Sequence, residues 1–135
     1  MRLMAKSALF LCVVLVCTLM IGCGGGPSIA PVQGNVTCNG EPVTGGTVMF
    51  NPIPEDGKVN ADARSAMGIL DSSGHYVLST NADGDGALVG KHNVEVIDNA
   101  GEEEGGAGLP GALPDGFEVE VTAGDNTIDL ELEPK

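Results

Sequence analysis

Few residues in this chain have both the type and the spacing to do chemistry. Asn81-Ala82-Asp83-Gly84-Asp85-Gly86 sets side-chain oxygens at alternate positions ahead of a glycine, which is how the first half of a loop surrounds a hard cation such as Ca2+. Asn81, Asp83 and Asp85 are therefore the candidate calcium ligands. The bidentate glutamate that closes such a loop at its twelfth position is missing, because His92 stands there, and a plain turn before a strand explains the same residues. His92-Asn93-Val94-Glu95 has the spacing of a zinc pair. On a strand, however, residues three apart point to opposite faces, so these two cannot share one metal. Cys38 falls on an apolar strand face and reads as a small core residue rather than a nucleophile.

A nucleophile elbow, a P-loop and a Cys-x-x-Cys pair are all missing. No catalytic residue, cofactor or metal is assigned, and the chain reads as a non-enzyme. Charge removes a further class of function. The 19 acidic side chains oppose only 6 basic ones, for a net charge of -13, and such a surface repels phosphate backbones instead of neutralising them. Nucleic acid is therefore not an expected partner. Glu102-Glu103-Glu104, set among glycines, reads as a solvated loop, with a patch for a cation or a basic partner as its alternative. The 21 Gly and 8 Pro, with no Trp, one Tyr and three Phe, favour turns and short strands over long helices. They also leave few rings on which a sugar could stack.

Arg2 and Lys6 precede an apolar run over residues 8–21 that only Thr18 interrupts, the layout of a secretory signal. As a helix the run rises about 21 Å, short of the roughly 30 Å hydrocarbon core, so it reads as a cleaved leader rather than a permanent span. It ends in Leu19-Met20-Ile21-Gly22-Cys23, which resembles the lipobox of bacterial lipoproteins, with Met20 where Leu is usual. That resemblance implies that Cys23 receives diacylglycerol and, once residues 1–22 are removed, becomes the acylated, palmitate-bearing N-terminus. Two or three acyl chains, at about 0.8 kcal/mol per buried methylene, hold a protein at a membrane where one does not. Gly24-Gly25-Gly26-Pro27-Ser28 follows, and residues 23–31 are expected to form a flexible tether spanning roughly 15 Å. Position 24 is Gly rather than the Asp that retains many lipoproteins at the inner membrane, which favours the outer membrane of the cell envelope. Cys12 and Cys17 leave with the leader, so Cys38 alone keeps its thiol and no intramolecular disulfide is expected. Arg2 and Lys6 leave too, and only Lys58, Arg64, Lys91 and Lys135 then face 19 carboxylates.

From residue 32 onward the apolar residues alternate with polar ones, the period of half-buried strands. Val32, Val36 and Cys38 share one face of a first strand, and Asn39-Gly40 signals a tight turn. Val48 and Phe50 mark a second strand over 47–51. Residues 64–70 and 75–80 read as a hairpin about Asp71-Ser72-Ser73-Gly74, where Asp accepts local backbone hydrogen bonds and Gly takes positive φ. Val94 and Val96 face in from a strand over 91–98, with Asn93, Glu95 and Ile97 facing out. Phe117, Val119 and Val121, then Ile128, Leu130 and Leu132, predict a terminal hairpin about Ala123-Gly124-Asp125-Asn126. Residues 52–63 and 100–116 are expected to lie outside the sheets. Seven short strands without a helical stripe predict an all-β antiparallel sandwich over residues 32–135.

The order of three motifs resembles a carboxypeptidase regulatory-like domain. Val36-Thr37-Cys38-Asn39-Gly40-Glu41-Pro42-Val43-Thr44-Gly45-Gly46-Thr47-Val48-Met49-Phe50 is similar to its opening two strands. Asp71-Ser72-Ser73-Gly74-His75-Tyr76 is similar to its Asp-x-x-Gly-x-Tyr hairpin, and Gly90-Lys91-His92-Asn93-Val94-Glu95-Val96 to its Gly-x-Tyr-x-Val-x-Val strand, with His92 at the aromatic position. The resemblance implies a transthyretin-like, seven-stranded Greek-key sandwich that acts as an accessory module without a catalytic site. The function expected from all of this is a lipid-anchored envelope protein serving as a structural or protein-interaction module. A ligand-binding module for carbohydrate or Ca2+ is the alternative.

Overall fold

Alternating burial along the longer strands sets the architecture of the computed structural model, which describes residues 28–57, 62–99 and 108–135. The leader, Cys23 and the Glu102 to Glu104 run lie outside the described residues. Strand β1 (Ile29–Ala30) pairs with β7 (Ala87–Leu88). A four-stranded antiparallel sheet has the order β10 (Glu118–Val121), β8 (Gly90–Asp98), β4 (Gly46–Pro52), β5 (Ala66–Ile69). The other sheet is built around β2 (Val32–Cys38), with β3 (Glu41–Pro42) and β6 (His75–Val77) paired antiparallel to it. Also paired with β2 are β11 (Asn126–Thr127) and β12 (Leu130–Pro134), and β12 in turn carries β9 (Gly111–Ala112). A 3-10 turn spans Glu55–Gly57. Among the described residues no helix is long and apolar enough to cross a membrane.

Inward-facing residues of the two larger sheets meet in one core. Val32, Val36, Tyr76, Leu130 and Leu132 come from one sheet, and Val48, Phe50, Ala66, Val94 and Val121 from the other, all essentially inaccessible to water. Phe50 lies at the junction, its ring 6.3 Å from Tyr76 and 5.7 Å from His92. Each large apolar side chain buried in this way contributes about 1.5–3 kcal/mol.

The tight turn expected at Asn39-Gly40 forms, with φ of 53° and 80° at its two residues, and closes the two-residue hairpin from β2 to β3. Other pairings differ from expectation. The described residues form twelve short strands rather than seven, and β2 runs parallel to β11 and β12, so that sheet is mixed rather than purely antiparallel. The terminal hairpin does not form, because β10 joins β8 while β11 and β12 join β2. The cause lies in Asn126, which occupies the turn with its side chain: Oδ1 accepts from the Thr122 amide and hydroxyl, and Nδ2 donates to the carbonyls of Thr122, Gly124 and Pro31. That cluster sends the chain across to the other sheet. The middle hairpin opens in a similar way, with β5 on β4 and β6 on β2, joined by a bridge between Met67 and Ser79 and by the Asp71 amide donating to the His75 carbonyl across the turn. Two stretches left outside the sheets in sequence contribute strands as well. β9 covers β12, and Ile29 and Ala30, at the far end of the expected tether, are built in against β7.

One contact joins three of these strands. β11 and β12 keep a single register along β2, interrupted at Ile128 and Asp129 opposite Gly34 and Asn35. In that gap the Tyr76 hydroxyl donates to the Ile128 carbonyl, and the Asp129 carboxylate accepts from the Asn35 amide. The Tyr76 ring reaches across β2 because Gly34 has no side chain. A Cβ at position 34 would sit 1.9 Å from the Ile128 oxygen and 3.1 Å from the ring.

Burial, with Asp129 nearby as a second cause, raises the Tyr76 phenol well above its ordinary value of 10.0. The protonated form is thus favoured in the folded state. Its stabilisation is complete below pH 10 and is lost as the pH climbs towards the folded-state value. Tyr76 is the only Tyr and Trp is absent, so phenolate absorbance reports this residue alone. Its appearance is expected to coincide with unfolding at strongly alkaline pH. Tyr76→Phe should lower stability at neutral pH by about 1–3 kcal/mol, because the Ile128 carbonyl loses its donor, and should flatten the alkaline loss. Gly34→Ala is expected to cost more than Tyr76→Phe in thermal denaturation, since it displaces the backbone of a neighbouring strand.

Candidate functional site

The segment from Ser79 to Gly86 links β6 to β7 and contains the candidate calcium ligands. Asp85 turns its carboxylate back onto the main chain. One oxygen accepts from the Thr80 amide at 2.7 Å, and the other from the amides of Asn81 and Ala82 at 3.0 and 3.1 Å. Thr80 donates its hydroxyl to the Gly86 carbonyl, and the Gly84 amide donates to the Ser79 hydroxyl. The three amides, that of Thr80 foremost, hold the Asp85 carboxyl below its ordinary value. Asn81 offers its side-chain oxygen to Arg64 at 3.4 Å, while Asp83 is exposed. What the arrangement does chemically is clamp a turn: the oxygen donors counted on from spacing include a carboxylate that already serves three N–H groups. Among the described residues no group of three or more His, Cys, Asp or Glu is placed to hold a metal ion.

Asp71 works in the same way at the other end of β6. It accepts from the amide and hydroxyl of Ser73 and from the His75 amide. The Ser73 hydroxyl is the main reason its carboxyl titrates below the ordinary value. This is the local hydrogen bonding that the Asp-Ser-Ser-Gly run predicts.

The other candidates are separated or buried. His92 is 1% exposed, packs on Phe50 and bonds through Nε2 to the Leu88 carbonyl at 2.6 Å. That acceptor calls for a proton on Nε2, and Nδ1 is buried with no hydrogen-bond partner. Glu95 lies on the opposite, exposed face of β8, as the three-residue spacing requires. Cys38 is buried, with a free thiol.

An exposed apolar surface is what sequence reasoning missed. Met67 is 51% exposed, Ile69 74%, Val77 43% and Ile97 41%. Across the outer face of the four-stranded sheet, Thr47 lies between Ile69 and Ile97, and Met49 lies between Met67 and Glu95. Met67, Ile69 and Val77 line a groove of about 580 Å3 together with Thr47, Ser79, Asn81 and Asp83. Size alone points the wrong way on β5, since the large residues face out and Ala66 and Gly68 face in. Gly68 must face in because a Cβ there would meet the Val77 carbonyl at 2.6 Å. The small residues at 66 and 68, two apart beside larger ones, were the available signal.

No family model matches the chain, and no curated protein matches it. Among solved structures it is similar to a DUF3823 family protein from Parabacteroides merdae ATCC 43184, with 12% sequence identity and a TM-score of 0.49. The match covers 81% of this chain and 48% of that one, so this chain matches about half of its length.

Because the Asp71 and Asp85 carboxyls titrate below the ordinary 3.8 in the folded state, the stability they confer is complete above that pH and is lost as the pH falls through their folded values. Asp85→Asn replaces one accepting oxygen by a donor facing N–H groups. It should lower the melting temperature at pH 7 and reduce the loss on acidification, both measurable by circular dichroism. With the Asp85 carboxylate already occupied, the melting temperature is expected to be the same in millimolar Ca2+ and in EDTA.

Proposed function

We propose that the chain is a lipid-anchored protein of the cell envelope, held by acyl chains on Cys23, whose β domain is a non-catalytic structural or protein-interaction module of the carboxypeptidase regulatory-like kind. The observation that carries this reading is the order of features at the start of the sequence. A cationic and apolar leader runs directly into Leu19-Met20-Ile21-Gly22-Cys23, and a glycine-rich stretch separates that Cys from the first strand. Ser28 enters the fold by accepting a hydrogen bond from the Val89 amide, and in sequence only residues 24–27 separate it from Cys23.

The domain's chemistry agrees with a module that binds rather than reacts. Its one free thiol and His92 both serve the core. The Asp85 and Asp71 carboxylates both serve turns. The Greek-key arrangement belongs to the same proposal, supported by the Asp71 turn and Tyr76 at the positions the motif order implies. Gly24 supports the outer membrane as the destination.

Metabolic labelling with palmitate in a bacterial host tests the anchor. The wild-type chain is expected to carry label and to sediment with the envelope, whereas Cys23→Ser loses the label. Label retained by Cys23→Ser, or absent from the wild type, would overturn the lipid anchor.

A further inference from the structure

We propose that the outer face of the four-stranded sheet around Met67, Ile69, Val77 and Ile97 docks a partner protein through an apolar, extended segment that carries Lys or Arg. This deepens the proposed function and rests on the interaction-module reading. The apolar residues occupy neighbouring cross-strand rows. Ile69 and Ile97 flank Thr47 in one cross-strand row, Met49 and Met67 adjoin in the next, and Val77 extends the surface onto the other sheet. Among the described residues, four of the five large apolar residues that are exposed lie here, with Val89 the exception. Scattered single residues need no partner, but a grouped patch with a groove marks an interaction site. The groove, at about 580 Å3, is of the size that takes side chains of a bound segment.

Charge selects the occupant. Asp83 lines the groove, Glu95 stands in the row beside Met49, and no Lys or Arg is among the lining residues. Arg64, which donates to the Asn81 side-chain oxygen at the near end, places one positive charge there against the two negative charges of Asp83 and Glu95. The whole chain carries -13, so a second copy or an anionic bilayer brought against this face meets like charge well inside the screening length of about 10 Å at 0.1 M salt. A cationic segment meets the opposite sign, and its apolar side chains cover what the sheet leaves exposed.

The test uses the full chain in a neutral detergent, titrated by calorimetry with a short synthetic peptide alternating Val and Lys. Saturable binding that weakens with salt is expected. The double change Met67→Ser with Ile69→Ser should weaken it about tenfold or more, roughly 1.4 kcal/mol per decade. Both side chains point to solvent, so the melting temperature should hold. Val89→Ser, the exposed residue elsewhere, should leave binding unchanged. A Ser–Lys peptide binding as tightly would overturn the docking surface in favour of bulk charge, and a Val–Glu peptide binding as tightly would overturn its charge selection. Self-association lost in the double variant would assign the face to a second copy. Attachment of the Cys23→Ser chain to phosphatidylcholine vesicles, lost in the double variant and without peptide binding, would assign it to a bilayer. No binding by the Val–Lys peptide overturns the surface alone if palmitate labelling of Cys23 succeeds, whereas failed labelling overturns the anchor and leaves the peptide result standing.

Discussion

The hydroxyl of Tyr76 reaches a carbonyl in the gap between two strands that are not its neighbours, and much of the fold follows from that reach. β6 and the β11–β12 segment flank β2 on opposite sides, so a bond from Tyr76 to Ile128 passes over β2 at Gly34 and ties three strands at one point. Ile128 can offer its carbonyl because the parallel ladder breaks there. The break in turn is satisfied on its other side by Asp129, which accepts from Asn35. Buried backbone groups left unpaired are costly, and here an aromatic hydroxyl and a carboxylate replace the missing rungs. The same ring faces Phe50 on the opposing sheet. A local defect in one ladder is thus coupled to the packing between the two sheets.

The regular part of this arrangement was legible in the sequence, since alternation decides which side chains are buried without reference to pairing. Val32, Val36 and Cys38 face in, as do Val94 and Val121, while Glu95 and Ile97 face out. Pairing partners were not legible. Period-two alternation is identical whether β10 turns back on β12 or crosses to β8, and the deciding group is a single Asn126 whose side chain fills the turn. Turn chemistry was legible where it depends on neighbours in sequence, as at Asn39-Gly40 and Asp71. At Asn81 to Gly86 the sequence left a turn and a cation loop side by side, because spaced oxygens look the same whether they face a cation or the chain's own amides, as the Asp85 carboxylate does.

Carboxylates in this molecule do two separate jobs. Asp71, Asp85 and Asp129 turn inward to backbone N–H groups and act as fixed acceptors where the strands end or break. Such bonds to a charged acceptor are stronger than neutral ones, which suits a fold built of strands two to nine residues long with little ladder in each. Glu118, Glu120, Glu131 and Glu133 instead stand on exposed positions of β10 and β12. Charge along such strands opposes sheet-to-sheet association between copies.

The outer face of β4, β5 and β8 departs from this acidic surface, and the reason it does so is geometric. β5 approaches β6 so closely at Gly68 that only a residue without a Cβ fits against the Val77 carbonyl. With the inward positions of β5 limited to Ala66 and Gly68, its larger side chains, Met67 and Ile69, have only the outer face to occupy. The close approach that joins the two sheets therefore leaves no room inside for the apolar bulk of β5. A face formed in this way is carried on paired strands rather than on a loop, so its backbone is fixed by the sheet. Binding then costs little ordering of this chain, and the affinity for a segment laid across it depends mainly on how well apolar shape and cationic charge match Ile69, Met67 and the acids beside them.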